Sequence, residues 1–518
     1  MSKFADGTPD RGVNEDPDLP PLRFDEMLED SLWAREVPGL VEQMNELHDY
    51  AEPERERLRQ KANQLVNPSG RISHLTRALR IFAEFIRVMA GILLIDWPRA
   101  ALKARAGYAE SARRLLPALY ARRIRLSFER LGPTFVKFGQ LIACMAGIVP
   151  RAVVDEFGKC RDEVPAVPTS KIEAIVSEEL GVPSEIFAAF DPAPLAAASI
   201  AQVHAATLDD GREIVVKVQR PEIEQNLEDD ISVLAHLIII GNKLFPKLKQ
   251  ANLHGIVTLF AEMVCEELDF RLEADSMCES ALSLEFLEVP EVYIPHPEPG
   301  LIAKRVLVME RLEGFKFADV EGMRDAGINT KELVRTSMRL VVEGAAVAGI
   351  FHGDLHAGNV FILPDARFGL MDFGIVARFT IARRDALVRF LVSIVAENPE
   401  ELIDAFEAFG AFPEGVDKAA IVKELEEPGD EPPPDELSIE QVAEVLTNSI
   451  EIFARNGMHI PKDLIMFVKN LIYLNAATVT MAPDLDFFAE IQNVFDYFNM
   501  KYTTGLKEIA GDVLAQGA

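Results

Sequence analysis

Apolar residues between Leu75 and Leu93 recur at alternating steps of four and three, at Leu75, Leu79, Phe82, Ile86, Met89 and Leu93. That spacing lines them along one face of a helix, with Arg77, Arg80, Glu84 and Arg87 opposite. The run Val88–Ile95 is apolar all round and stops at Asp96-Trp97-Pro98. A different period governs Ser199–Leu208 and Arg212–Val218: both alternate, both are rich in Val and Ile, and Asp209-Asp210-Gly211 between them is a hairpin turn signal. Helical patterns return over Val257–Asp275, Arg383–Glu397, Ser438–Arg455 and Pro461–Ala477. Val360–Leu363 and Phe368–Met371 read as short strands on either side of a turn at Pro364-Asp365, and no repeat of solenoid length is apparent.

These strands frame the chain's most specific chemistry. His352-Gly353-Asp354-Leu355-His356-Ala357-Gly358-Asn359 is followed, after a short apolar strand, by Asp372-Phe373-Gly374. Phosphoryl-transfer enzymes of the kinase type use one aspartate to orient the attacking oxygen, an asparagine five residues later for magnesium, and a second aspartate before Phe-Gly for metal bridging the nucleotide phosphates. Asp354, Asn359 and Asp372 stand at those places. Upstream, Lys217 occupies the position of the strand lysine that neutralises the α- and β-phosphates, and it needs a carboxylate on a packed helix to hold it extended. The Val257–Asp275 helix carries Glu267, Asp269 and Glu273, and Asp269 and Glu273, four apart, share a face. In place of a glycine-rich loop over the phosphates stands Ala196-Ala197-Ala198-Ser199, whose backbone is stiffer than glycine allows.

Taken together, Lys137-Phe138-Gly139-Gln140, the alanine-rich Ala196–His204, Lys217-Val218-Gln219-Arg220-Pro221, Glu267-Leu268-Asp269, and the Asp354 and Asp372 motifs resemble the UbiB family of atypical kinases over roughly residues 120–485. The resemblance implies an α/β (α+β), protein-kinase-like two-lobed fold with an amino-terminal helical extension. It also implies ATP and Mg2+ as cofactors, and support of ubiquinone or other isoprenoid-lipid biosynthesis rather than phosphorylation of proteins. By the same resemblance Lys137 and Gln140 cover the cleft, Lys137 meets Glu267 and Asp269, and Glu273 partners Lys217. Ala196, Ala197, Ala198, Ser199 and Lys217 then line the nucleotide site, with Met309 and Glu310 on a hinge strand Val306–Glu310. Val215, where kinases often carry a small alanine, narrows the adenine pocket. The divisions that follow are a tail over 1–22, the extension over 23–165, an N-lobe over 166–311 and a C-lobe over 312–518.

Beyond the family, Ile375–Phe379 leads almost directly into the Arg383–Glu397 helix without an Ala-Pro-Glu or a long phosphorylatable loop. The platform for a peptide substrate is missing, which favours a small molecule, a lipid headgroup or water as acceptor. The 518 residues, 49% hydrophobic and 26% charged, describe a globular protein of two or more domains, and a net charge of −30 excludes general nucleic-acid binding. That average hides a reversal: residues 68–140 carry fourteen basic side chains against four acidic ones. A basic amphipathic helix ending near a tryptophan suits an anionic membrane surface; the same face also suits packing on the kinase core or on a second copy of the chain, as a homodimer. Val88–Ile95 is far shorter than the ~20 residues of a spanning helix, so membrane contact is expected to be peripheral, by a cytoplasmic protein working with isoprenoid lipid and lipid-biosynthesis proteins. Met1–Pro21 reads as a disordered tail and Glu424–Glu436 as an acidic, proline-rich linker. Cys144, Cys160, Cys265 and Cys278 are scattered and read as core residues, and His352 reads as a brace for the catalytic loop. Two other classes stay open: a small-molecule phosphotransferase of the aminoglycoside or choline type, whose loop also reads His-Gly-Asp, and a nucleotide-gated scaffold for membrane lipid enzymes.

Overall fold

A computed structural model of the chain describes residues 24–68, 75–105, 109–143, 151–160, 164–244, 253–395, 398–412, 415–426, 452–453, 458, 461–485, 489–490, 493–494, 497 and 501. Its strands are β1 (Ala189–Ala197), β2 (Ala201–Thr207), β3 (Glu213–Gln219), β4 (Val292–Tyr293), β5 (Pro297–Ile302), β6 (Val306–Glu310), β7 (Phe315–Lys316), β8 (Ile350–His352), β9 (Val360–Ile362), β10 (Phe368–Leu370) and β11 (Val376–Arg378). A five-stranded antiparallel sheet in the order β1-β2-β3-β6-β5 forms one lobe, and β4-β10-β9-β7 and β11-β8 are small sheets in the other.

Alternation along β3 decides which side chains reach the cleft. Ile214, Val216 and Val218 face a core shared with Ile172, Val176, Phe187, Val306 and Val308, so Val215 and Lys217 point to the opposite side. The β2–β3 turn closes as its sequence suggests, with Thr207 opposite Glu213 and Gly211 at φ 87°, a left-handed conformation suited to glycine. On the cleft side of the sheet packs the helix Phe270–Phe286, whose Ala274, Met277 and Ala281 join the main core. The amino-terminal helix Leu40–Val66 contributes to two cores of this arrangement. Leu40, Met44 and Leu47 enter the main core, and Ala51, Leu58, Ala62 and Val66 enter a second core with the helices Ile223–Leu244 and Leu253–Glu266.

Two elements differ from their sequence patterns. The helix expected over Val257–Asp275 is two helices, Leu253–Glu266 and Phe270–Phe286. Asp269 leaves the helical conformation (φ −130°, ψ 100°) and caps the second helix, its carboxylate accepting the Arg271 N–H at 3.1 Å. A short acceptor side chain satisfies orphan N–H groups better there than in a helix interior, so Asp269 and Glu273 do not share a face.

The amphipathic helix Leu75–Gly91 continues through a π-helical turn, Ile92–Asp96, into Trp97–Arg105 instead of ending at Pro98. The π-helical turn lies just before Pro98, whose ring and missing N–H do not fit the regular helical ladder. The stripe of large apolar residues on Leu75–Gly91 faces away from the protein, while Ala78, Ile81 and Val88 face inward. Arg77 pairs inward with Asp230 at 2.7 Å and with the Leu131 carbonyl at 2.8 Å, and Glu84 pairs with Arg130 at 2.8 Å. Leu75, Leu79, Phe82, Phe85, Ile86, Leu93, Leu94, Trp97 and Leu102 are exposed. The apolar face therefore does not pack on the kinase-like core.

Among the described residues one helix, Lys462–Met481, is long and apolar enough to cross a membrane by length and composition. Half of its apolar window is buried, against the helix Thr330–Glu343 among other elements. The expected tail Met1–Pro21, Cys144, nearly all of Ser438–Arg455, and most of the linker Glu424–Glu436 lie outside the described residues. Cys160, Cys265 and Cys278 are buried, and burial pushes the first two thiols up to about 11 and about 12.

Candidate active site

At the centre of the cleft Lys217 bridges the two lobes. Its Nζ donates to Glu273 Oε1 at 2.6 Å and to Asp372 Oδ1 at 2.9 Å, and it lies 5.2 Å from the centre of the Phe270 ring. Burial disfavours the ammonium, yet the two carboxylates outweigh it and raise its pKa above the ordinary lysine value. Burial likewise pushes Asp372 up, but Lys217 dominates and holds that carboxyl well below its usual range; Glu273, deeper, stays raised despite the same partner. Asp372 adopts φ 62°, a left-handed conformation that costs a non-glycine residue on the order of 1 kcal/mol. That turn aims its carboxylate back at Lys217 while Phe373 is driven into the core, edge-on to His352 with ring centroids 5.2 Å apart.

The loop after β8 is tied on three sides. His352 Nδ1 accepts the Asp354 N–H at 3.1 Å and Nε2 faces the Met371 carbonyl at 3.0 Å, which assigns the proton to Nε2 in the neutral ring. Burial lowers the His352 pKa and keeps it neutral, the bracing role its position suggests. Asn359 Nδ2 donates to the Asp354 carbonyl at 3.0 Å, and the Asn359 carbonyl accepts from Met371 at 3.0 Å, so the loop and Asp372 are fixed side by side. The donor set available to a cation here is the Asn359 amide oxygen and the Asp372 carboxylate, hard oxygen ligands that suit Mg2+. Glu267 Oε1, nearby, is buried and without a hydrogen-bond partner among the described residues.

Lys137 arrives from the helix Pro133–Ala143, and its Nζ forms an ion pair with Glu267 Oε2. Burial raises the Glu267 pKa to about 7, against the lowering influence of Lys137, with Asp372 and Asp354 adding to the rise. Glu267 also lies beside Gly374: a Cβ there would meet its Cγ at 3.4 Å. The helix is seated through Gly139, where a Cβ would come within 2.9 Å of the Phe157 ring and 3.0 Å of Cys160 Sγ. Gln140, the residue after Gly139 and three after Lys137, is half-buried. Asp269 is not the second partner of Lys137 that the motif implies. It binds Arg271 at 2.7 Å and the Tyr50 hydroxyl at 2.8 Å, because its role as helix cap turns it toward the Leu40–Val66 helix.

Ala196 and Ala197 end β1, and Ala198 N–H bonds the Ala201 carbonyl at 2.9 Å, making the alanine-rich segment a tight β1–β2 turn that includes the buried Ser199. Gln202 and His204, fully buried, fasten this hairpin: Gln202 meets Val167, and His204 Nδ1 meets the Asp191 carbonyl at 2.9 Å. On β6, Met309 is buried opposite Val215. The Glu310 side chain turns away to Tyr293 at 2.6 Å and its N–H goes to the His296 carbonyl at 2.9 Å.

Sequence patterns did not single out Lys469 and Asn470, both on the Lys462–Met481 helix. Lys469 forms an ion pair with Asp354 Oδ1; burial pushes the Asp354 carboxyl up, but Lys469 and then His356 hold it below its usual value. Nor did they single out a buried knot joining the extension to the cleft: Arg55 and His48 meet Asp275 at 2.6 Å and 3.0 Å, and Arg378, just past Asp372, pairs with Glu279. His48, Asp275 and Glu279 lie close enough to share a cation, but the two guanidiniums already supply that charge. Residues distant in sequence leave no local spacing for such pairings.

The family model for the ABC1 atypical kinase-like domain matches residues 159–406. An uncharacterised aarF domain-containing chloroplast protein kinase of Arabidopsis thaliana is 32% identical over 422 residues, covering 76% of this chain and 77% of that protein. Probable protein kinases UbiB are 30% identical in Marinobacter nauticus, over 71% of this chain and 68% of that one, and 30% identical in Pseudomonas aeruginosa, over 80% of both. With its kinase-like two-lobed fold and helical amino-terminal region, the chain belongs to the UbiB family of atypical kinase-like proteins that carry the ABC1 domain.

Proposed function

We propose that the protein binds Mg-ATP in this cleft and transfers the γ-phosphoryl group to water or to a small or lipid acceptor, supporting ubiquinone or other isoprenoid-lipid biosynthesis from a membrane surface. The observation that carries this reading is the single bridge of Lys217 to both Glu273 and Asp372, beside a loop in which Asn359 holds the Asp354 backbone. Lys217 neutralises the α- and β-phosphates, and Asn359 and Asp372 would hold Mg2+, which would supply further neutralisation of phosphate charge. Asp354 orients the acceptor O–H. The acceptor oxygen forms its bond to the γ-phosphorus as the bond to the β-phosphate oxygen breaks; the electron pair leaves with ADP, and the acceptor proton passes by way of Asp354 to solvent.

The Lys137–Glu267 pair covers the cleft next to Gly374, where a long peptide would have to lie, and the next helix begins at Ile381. Both features favour a compact acceptor. The exposed face from Leu75 to Leu102, edged by Arg80, Arg87 and Arg99, is the surface for anionic lipid.

Phosphate release from Mg-ATP by the purified protein, with and without anionic vesicles and with Asp372→Asn as blank, tests both parts. Vesicle-stimulated release lost in the variant supports a peripheral membrane ATPase. Nucleotide binding without release under either condition overturns the turnover reading in favour of a scaffold.

A further inference from the structure

Helix Lys462–Met481 runs beneath the catalytic loop and presents Met466, Lys469 and Asn470 to it, three and four residues apart and so on one face. Asn470 is fully buried. Its Nδ2 donates to the His352 carbonyl at 2.6 Å and its Oδ1 accepts the Leu355 N–H at 3.3 Å, which clamps the backbone on either side of Gly353-Asp354. Met466 closes the space under Gly353, where a Cβ would lie 2.9 Å from its Sδ. With the backbone fixed, the Asp354 side chain is aimed by Lys469 at Oδ1, while Oδ2 stands 3.9 Å from His356 Nε2. The Asp354 carboxylate keeps 28% of its surface open, so it is held without being sealed off.

We propose that Lys469 is the positioning residue of the phosphoryl-transfer site: it fixes the rotamer of Asp354 so that Oδ2 meets the acceptor O–H. The proposal rests on the reading of Asp354 as the carboxylate that orients the acceptor. Geometry favours it over a purely structural role, because Asn470 already holds the loop backbone while Lys469 is paired with the Asp354 carboxylate. A flexible carboxylate samples unproductive rotamers, and misplacement on the scale of 1 Å costs about a hundredfold in rate.

The test compares Lys469→Met and Lys469→Arg with wild type in Mg-ATP turnover, nucleotide affinity by a fluorescent ADP analogue, and thermal melting. Lys469→Met is expected to lower kcat about a hundredfold with KM, nucleotide affinity and melting temperature kept, and Lys469→Arg to recover kcat to within about tenfold of wild type. Unchanged kcat in Lys469→Met, or losses in melting temperature and nucleotide affinity that parallel it, overturn the proposal. Should the wild type itself show no turnover, the functional reading fails separately, and amine acylation mapped by mass spectrometry still decides the pairing. Lys469 must label several-fold faster in Asp354→Asn than in wild type, with Lys462 as internal standard, and equal rates overturn it.

Discussion

Replacing Leu93 and Leu94 by glutamine tests the exposed apolar face with little risk to the fold. Leu94 is 76% exposed and Leu93 53% exposed, so neither contributes much to the core. Fully burying a leucine is worth roughly 2 kcal/mol. Scaled by these exposures, insertion of the pair into a lipid interface contributes about 2.5 kcal/mol, or roughly 70-fold in partitioning. The assay is cosedimentation with phosphatidylcholine vesicles containing phosphatidylglycerol at low salt, beside thermal melting. The double variant should bind roughly 70-fold more weakly with an unchanged melting temperature, since surface substitutions shift stability by about 0.5 kcal/mol or less. Binding should also weaken with salt, because Arg80, Arg87 and Arg99 flank the face. Variant binding equal to wild type at an unchanged melting temperature refutes the membrane argument. A wild-type dimer that the double variant turns into a monomer assigns the face to a second copy instead.

Two further predictions concern the buried charges. Lys217→Met leaves Glu273 buried without its cation, and breaking such a pair from one side costs about 3 kcal/mol; the variant should melt lower and release no phosphate, and an unchanged melting temperature would count against the bridge. Glu267 has its pKa raised from 4.5 to about 7 in the fold, so the folded protein holds a proton there that the unfolded chain has already released. Its contribution to stability is therefore full below about 4.5 and is lost as pH rises through about 7. Glu267→Gln should flatten the pH dependence of the unfolding free energy across that window by at most about 3 kcal/mol, and identical pH slopes for variant and wild type in denaturant titrations would sink this assignment.

Local patterns carried most of what they encode locally. The strand pair around Asp209-Asp210-Gly211 and the strands around Pro364-Asp365 follow from alternation and turn residues acting over a few positions, and β2, β3, β9 and β10 lie within a residue or two of their expected ends. The break at Glu267–Asp269 was hidden because acidic residues and apolar spacing continue through it. Only the capping geometry, an aspartate before Phe270, marks the new start. The face of helix Leu75–Gly91 was legible, but its direction was not: periodicity finds an apolar stripe without saying whether the stripe meets protein or solvent, and that depended on Arg77 reaching Asp230 across 153 positions. Lys469 and Arg378 were missed for the same reason, since their partners lie in other segments.

Those long-range pairs explain how acidic side chains can be gathered in one cleft. Glu267, Glu273, Asp354 and Asp372 would repel one another if left alone, and buried carboxylates of like charge shift upward until some protonate. Lys137 from the extension, Lys217 from β3 and Lys469 from a late helix each take one of them, with Lys217 shared between two. Among the described residues three ammoniums face four carboxylates; Glu267, with a pKa raised to about 7, is partly protonated at neutral pH, so the excess is at most one negative charge, and its Oε1 has no hydrogen-bond partner among those residues. A divalent cation entering beside Asn359 and Asp372 would relieve that excess and compete with Lys217 for Asp372, releasing the lysine toward phosphate. The arrangement is thus balanced for a ligand that brings a metal and several negative oxygens together, whereas a bare anion would meet the surplus carboxylate and be repelled. Nucleotide affinity should accordingly depend steeply on Mg2+; equal affinity for ADP with and without the metal would show that the lysines alone, and not the charge balance of the cleft, determine binding.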